Sequence, residues 1–234
     1  MEITPELSTL SVLLIGFLLG LQHAVEADHL AAVSTIVSEK KSIFAASIVG
    51  GLWGLGHTIS LFIVGLAVIF LKLRISESAE AKLEAVVGGM LVLLGLNALR
   101  KLFSSKEIHV HAHDHGINEH LHFHEHDEKA QEASHHRFSP RSVVIGMVHG
   151  LAGSAALMLL VVPTITSPAL AMLYILIFGI GSIGGMMVMS LLIGLPIHFT
   201  ANRFAILNKS IRFGAGVFSL GLGAYIIYEK LVVV

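Results

Sequence analysis

The chain has 234 residues, of which 54% are hydrophobic and 13% charged, with a formal net charge of -1 and a mean hydropathy of +0.81. Ordinary soluble domains carry roughly 25% charged residues, so the composition is that of a membrane protein, and the length suits one domain. Near-neutral charge argues against nucleic acid as a partner. The absence of cysteine excludes disulfides, thiolate metal sites and thiol redox chemistry.

A hydrocarbon core of about 30 Å needs about 20 apolar residues per helix, and six segments meet that need. The first runs from about Leu10 to Val37. Met1 to Ser11 contains no Lys or Arg, which a secretory n-region requires, so this run is expected to stay in the membrane as a span. The second, about Ile43 to Leu71, contains Gly50, Gly51, Trp53, Gly54, Gly56 and His57. The third, about Leu83 to Phe103, holds Asn97, a candidate for an interhelical hydrogen bond. The fourth, about Val143 to Val162, contains His149 and stops at Pro163. The fifth, about Leu170 to Phe199, is glycine-rich with Pro196 near its end, and the sixth runs from about Phe213 to Val233. Segments one, two and five are overlong, which predicts tilting or breaks at their glycines. His198, beside Pro196, reads as an interfacial residue.

Between segments three and four lies the one long hydrophilic stretch, Ser104 to Arg141, with ten of the fifteen histidines. His109, His111, His113 and His115 alternate with other residues, as do His120, His122, His124 and His126; His135 and His136 follow. Few apolar residues offset the entropy of ordering that backbone, so the composition predicts a disordered tract able to bind borderline divalent metals. The expected organisation is residues 1–103 as one three-helix repeat, 104–141 as the His-rich loop and 142–234 as a second three-helix repeat, together one membrane domain.

The loops after segments one, three and five carry Lys40, Lys41, Arg100, Lys101, Lys106, Lys129, Arg137, Arg141, Arg203, Lys209 and Arg212. The opposite side carries only Lys72, Arg74, Lys82 and Lys230. The excess marks the first set as cytoplasmic. Both termini would then lie outside a plasma membrane, with the His-rich loop in the cytoplasm.

The halves match one another. At an offset of 126, Gly20-Leu21-Gln22-His23 falls on Gly146-Met147-Val148-His149, while Asp28 falls on Ser154 and His29 on Ala155. At 128, Gly51 falls on Gly179, Gly56 on Gly184, Gly88 on Gly216 and Gly95 on Gly223. Each repeat has an odd number of crossings, so the second would be inverted relative to the first. Inverted repeats place a substrate site near the midplane, often on interrupted helices.

The chemistry is concentrated in His23-Ala24-Val25-Glu26-Ala27-Asp28-His29, inside the first apolar segment. Ionisable groups at membrane depth are costly and mark functional sites. On an ideal helix His23 and Asp28 face different ways, whereas His23, Glu26 and His29 form a drifting stripe. Either the helix unwinds near Ala24 to Ala27 so that His23, Asp28 and His29 converge, or a regular helix presents His23, Glu26 and His29. Imidazole and carboxylate without sulfur suit nickel, cobalt, zinc or copper(II). His57 and His149 would complete the set, although each can instead be a histidine hydrogen-bonded in the bundle interior.

These residues resemble the nickel/cobalt transporter family, whose hallmark is a membrane-embedded His-x4-Asp-His, here His23, Asp28 and His29. Gly56-His57-Thr58 resembles the family's Gly-His-Ser motif. His149-Gly150-Leu151-Ala152-Gly153-Ser154-Ala155 is similar to the shorter, urease-accessory-protein-H-like membrane branch. The resemblance implies transport of nickel or cobalt, with His23, Asp28 and His29 essential.

The expected function is therefore a secondary transporter of a divalent transition metal, with no enzyme activity and no cofactor beyond the transported Ni2+ or Co2+, or Zn2+. The lipid bilayer is its medium; cytoplasmic metallochaperones and further copies of the chain are candidate partners. Two alternatives remain. One is an intramembrane metalloenzyme holding zinc through His23-x2-Glu26-x2-His29, although helical zinc proteases favour histidines at i, i+4. The other is a urease or hydrogenase accessory protein that binds metal without transporting it.

Overall fold

In a computed structural model, the residues described are 9–38, 42–72, 76–104, 110–113, 120–123, 140–152, 165, 167–201 and 203–233. The chain is an all-helical bundle of α1 (Thr9–His23), α2 (Ala27–Val37), α3 (Ile43–Leu71), α4 (Glu77–Phe103), α5 (Pro140–Ala152), α6 (Pro168–Ala201) and α7 (Ala205–Tyr228), with a π-helical turn at Glu229–Val233. In the His-rich stretch, β1 (Val110–His113) pairs antiparallel with β2 (His120–Phe123), a unit that is marginal alone in water. His109, His115, His124, His126, His135 and His136 lie outside the described residues.

α3, α4, α6 and α7 with its π-turn are each long and apolar enough to cross a membrane, and α1 with α2, bent by 55° at their break, pass the same test only as a pair. Side chains such as Leu10, Phe44, Leu93 and Ile206 point outward, as a lipid solvent allows. The fourth sequence segment is represented by α5; Gly153, Ser154, Ala155 and Pro163 lie outside the described residues.

Local chemistry sets the helix ends. Ser42 Oγ accepts from the Ala45 N–H at 3.1 Å and Ser76 Oγ from that of Ala79 at 3.2 Å. Glu77 and Glu80 in its first turn favour the positive end of α4, which starts it before Leu83. Lys72 closes α3 in the left-handed conformation, φ 51°. α6 runs unbroken for 34 residues, about 51 Å at 1.5 Å per residue. Its glycines therefore do not interrupt it, and neither does Pro196. Past the proline, Thr200 Oγ1 donates to the Pro196 carbonyl at 2.7 Å, and Asn208 Nδ2 at the start of α7 donates to the Ile197 carbonyl at 2.7 Å.

α3 packs against α6 and α5, α1 against α6, and α4 against α7. Side-chain hydrogen bonds to backbone carbonyls cross these interfaces, from Ser47 Oγ to Met187, Thr58 Oγ1 to Gly179, Ser60 Oγ to Met147 and Ser219 Oγ to Leu91. Such bonds average about 0.6 kcal/mol in a membrane, so the close backbone approach at small residues carries most of the association.

That approach recurs with the halves exchanged. A Cβ at Gly20 would strike the Phe178 carbonyl, and one at Gly146 the Trp53 carbonyl. Gly181 stands likewise against Phe17 and Gly56 against Val143; Gly54 meets Ile183 as Gly179 meets Thr58; and Gly88 faces Gly223 as Gly95 faces Gly216. These contacts interconvert at an offset of 126 in the first segment, 125 in the second and 128 in the third. The sequence match at 128 in the second segment is thus shifted: Gly54, not Gly51, corresponds to Gly179, and Gly56 corresponds to Gly181. Gly184 has nothing within 4 Å of a Cβ placed there, among the described residues. Its coincidence with Gly56 is compositional. In this register His57 corresponds to Ser182.

Candidate metal centre

The first span breaks at Ala24, Val25 and Glu26, with α1 ending at His23 and α2 starting at Ala27. Tight turns bridge the gap, from the Val25 N–H to the Gln22 carbonyl and from the Glu26 N–H to the His23 carbonyl, at 3.0 and 3.1 Å. Glu26 has the extended backbone of an N-cap, φ -64° and ψ 151°. Neither proline nor glycine stands there. The accommodation comes from α6, where a Cβ at Gly185 would collide with Ala24. Of the two arrangements open to the sequence, this is the unwound one.

The break places Asp28 and His29 in the first turn of α2 against His23 at the end of α1. Asp28 Oδ1 accepts from the backbone N–H of His29 at 2.8 Å and lies 3.0 Å from its Nδ1; Oδ2 lies 3.1 Å from His149 Nε2. An ionised carboxylate only accepts, so both rings turn an N–H toward it. One carboxylate therefore orients two imidazoles from different helices. His23 Nε2 lies 3.2 Å from His57 Nε2, joining α1 to α3.

His23, His29, His57 and His149 are each 0% exposed. His29 Nε2, His57 Nδ1 and His149 Nδ1 have no hydrogen-bond partner among the described residues. Buried imidazole nitrogens left unpaired are costly, and a metal ion is the ligand that their lone pairs suit. Two sets, His23–His29–His57 and Asp28–His29–His149, each offer ligand atoms within 4.8 Å of one another. They share His29, whose Nδ1 faces Asp28, the carboxylate–histidine arrangement that fixes ring tautomer and orientation at metal sites. The C-terminal end of α1 adds partial negative charge next to His23.

Glu26 is peripheral. Its Oε1 lies 2.9 Å from His23 Nδ1, but its side chain is 41% exposed against 19% for Asp28, and His23 Nδ1 makes no hydrogen bond among the described residues. His198 is exposed on the last turn of α6 and takes no part in either ligand set.

Sequence reasoning missed the aromatic walls. Trp53, one turn before His57 on α3, stacks on His29 with ring centroids 5.3 Å apart and planes inclined by 24°; its edge contact with His149 is also at 5.3 Å. Phe178 of α6 lies 5.6 Å from His23. The available signal was the chain's single tryptophan at i-4 from a histidine. Ser182, the counterpart of His57, is fully buried, with its hydroxyl unpartnered among the described residues.

Comparison with known proteins adds a family. No solved structure matches the chain. It is 38% identical over 231 residues to the urease accessory protein UreH of Bacillus sp. (strain TB-90), covering 96% of this chain and 93% of that protein. Two Arabidopsis thaliana chloroplast proteins, FOR GROWTH AND FERTILITY 2 and 1, are 27% and 24% identical, and the chain spans 55% and 57% of their lengths. Residues 9–211 match the NicO family, described as high-affinity nickel-transport protein. The chain is accordingly a membrane protein of the NicO family, a family of metal transporters rather than of enzymes.

Proposed function

We propose that this protein is a secondary transporter of a divalent transition metal, nickel or cobalt first and zinc as an alternative cargo, which binds at His23, Asp28, His29, His57 and His149 with Glu26 at the margin. The observation that carries the reading is the break at Ala24–Glu26, where one carboxylate and four fully buried imidazoles from four helices converge. Nitrogen and oxygen donors without sulfur suit these ions. His29 Nε2, His57 Nδ1 and His149 Nδ1, unpartnered among the described residues, supply the lone pairs such an ion takes. No P-loop motif occurs in the sequence, which favours an ion gradient over nucleotide as the driving force.

The transport architecture proposed is six spans in two inverted three-helix repeats, with α5 and the residues after it as the fourth span. The reciprocal glycine contacts support it, as does the antiparallel course of α3 and α6, in which Gly50 is level with Ser190 and Gly65 with Ile175. The Lys and Arg distribution orients the chain with both termini outside and the His-rich loop in the cytoplasm, where that loop would buffer ions or exchange them with metallochaperones.

A second reading follows from the likeness to a urease accessory protein: metal binding without transport. Reconstitution in proteoliposomes decides between them. The expected result is entry of nickel or cobalt that His29→Ala abolishes. Metal binding without flux would favour the accessory role.

A further inference from the structure

The two aromatic walls occupy equivalent places in the two halves. Gly20 backs onto the Phe178 carbonyl as Gly146 backs onto that of Trp53. The histidine three residues after each glycine then meets the matching ring, His23 against Phe178 and His149 against Trp53. The exchange of halves therefore carries one histidine–aromatic pair onto the other. α3 and α6 are antiparallel, so this exchange puts the rings on opposite sides of the cluster. Trp53 lies one turn, about 6 Å at 1.5 Å per residue, from His57 toward the Ile43 end of α3. Phe178 neighbours Gly179, which meets Thr58, on the side of the Leu71 end.

The packing divides at the same level. Trp53 shares a core cluster with Val33, Val37, Ala46 and Met186; Phe178 shares a separate one with Leu61, Tyr174 and Ile175. Each ring is 1% exposed and joins the histidines to the plug on its own side. Neither can ligate a cation through a lone pair, since indole offers only a donor and phenyl nothing. What each buried ring supplies at the site is a packed apolar wall against the histidines.

We propose that Trp53 and Phe178 are a pair of gates, each closing the metal centre toward one face of the membrane. The inference rests on the transporter reading. With both rings in place the four imidazoles are fully buried. Swinging one ring aside while the other stays packed opens a single route, and exchanging the roles of the halves opens the other.

The chain lacks cysteine, so a single Ser182→Cys substitution gives a buried reporter in the otherwise unaltered full-length protein. The probe is a membrane-impermeant maleimide applied to one face at a time of oriented vesicles. With both aromatics intact, labelling should be slow from either face. Trp53→Ala should admit the reagent only from the face at the Ile43 end of α3, and Phe178→Ala only from the opposite face. Trp53→Phe and Phe178→Trp should restore slow labelling, which separates gating from failure to fold. Labelling of both alanine variants from the same face, from both faces equally, or from neither would overturn the proposal. Nickel protection of the reporter tests the metal site separately: protection without sided labelling rejects the gates alone, and sided labelling without protection rejects the metal reading.

Discussion

Asp28 is the residue on which the site turns. Its two oxygens hold rings from α2 and α5, so removing its charge loosens both ligand sets at once. Loss of a carboxylate that orients metal-bound histidines typically costs about 10–100-fold in affinity or activity. Asp28→Asn should therefore lower metal uptake by at least that order, whereas Glu26→Gln, at a half-exposed side chain, should retain most of it. Uptake of radioactive nickel by cells expressing each variant measures the difference, and the reverse ranking would restore the regular-helix stripe of His23, Glu26 and His29.

At the level of elements, the bundle depends on backbone contact between helices. Gly20, Gly56, Gly146 and Gly181 each present a bare Cα to a carbonyl of the facing helix. Overpacking a tight contact costs about 1–3 kcal/mol, so Gly56→Val should lower the melting temperature in detergent and the amount of protein in the membrane. Gly89→Ala and Gly184→Ala, where a Cβ meets nothing among the described residues, should leave both unchanged. The broken first span behaves differently from the long helices. α3 and α6 carry more glycines and stay continuous, because those glycines are used for packing between helices; the first span breaks at Ala24–Glu26, where no helix breaker stands. The break is stabilised by the carboxylate and imidazole contacts it permits and by the room left at Gly185.

Over the whole molecule, the described helices form a framework whose halves exchange through a common set of contacts, with the buried histidines distributed unequally between them. His23 has a counterpart in His149, while the counterpart of His57 is Ser182. Under the proposed function, one ion site is shared by two similar halves, as in transporters built from inverted repeats. The His-rich stretch lies apart from that framework in sequence, so deleting residues 108–136 should leave flux through proteoliposomes intact while altering the metal tolerance of cells. Loss of flux with normal membrane insertion would place the stretch in the transport path.

Hydropathy alone determined the class of protein and the long spans, because a lipid solvent requires about 20 apolar residues per crossing. The boundaries of α3 at Ile43 and Leu71 follow from that and from the Ser42 cap. The candidate ligands were partly legible: His23, Asp28 and His29 are costly in hydrocarbon, whereas His57 and His149 could each have been a histidine hydrogen-bonded in the bundle interior. Tertiary structure decided what neither periodicity nor composition contains. The break at Ala24–Glu26 was one of two arrangements open to the sequence, and packing selected it, with Ala24 seated against Gly185 of a helix more than 150 residues away. The match between the second and fifth segments shifted from 128 to 125 because a glycine's role is defined by the backbone opposite it. Trp53 and Phe178 became site residues only when folding placed one against His29 and His149 and the other against His23. A sequence states which groups are costly to bury, and only the packed chain shows which groups offset one another's cost.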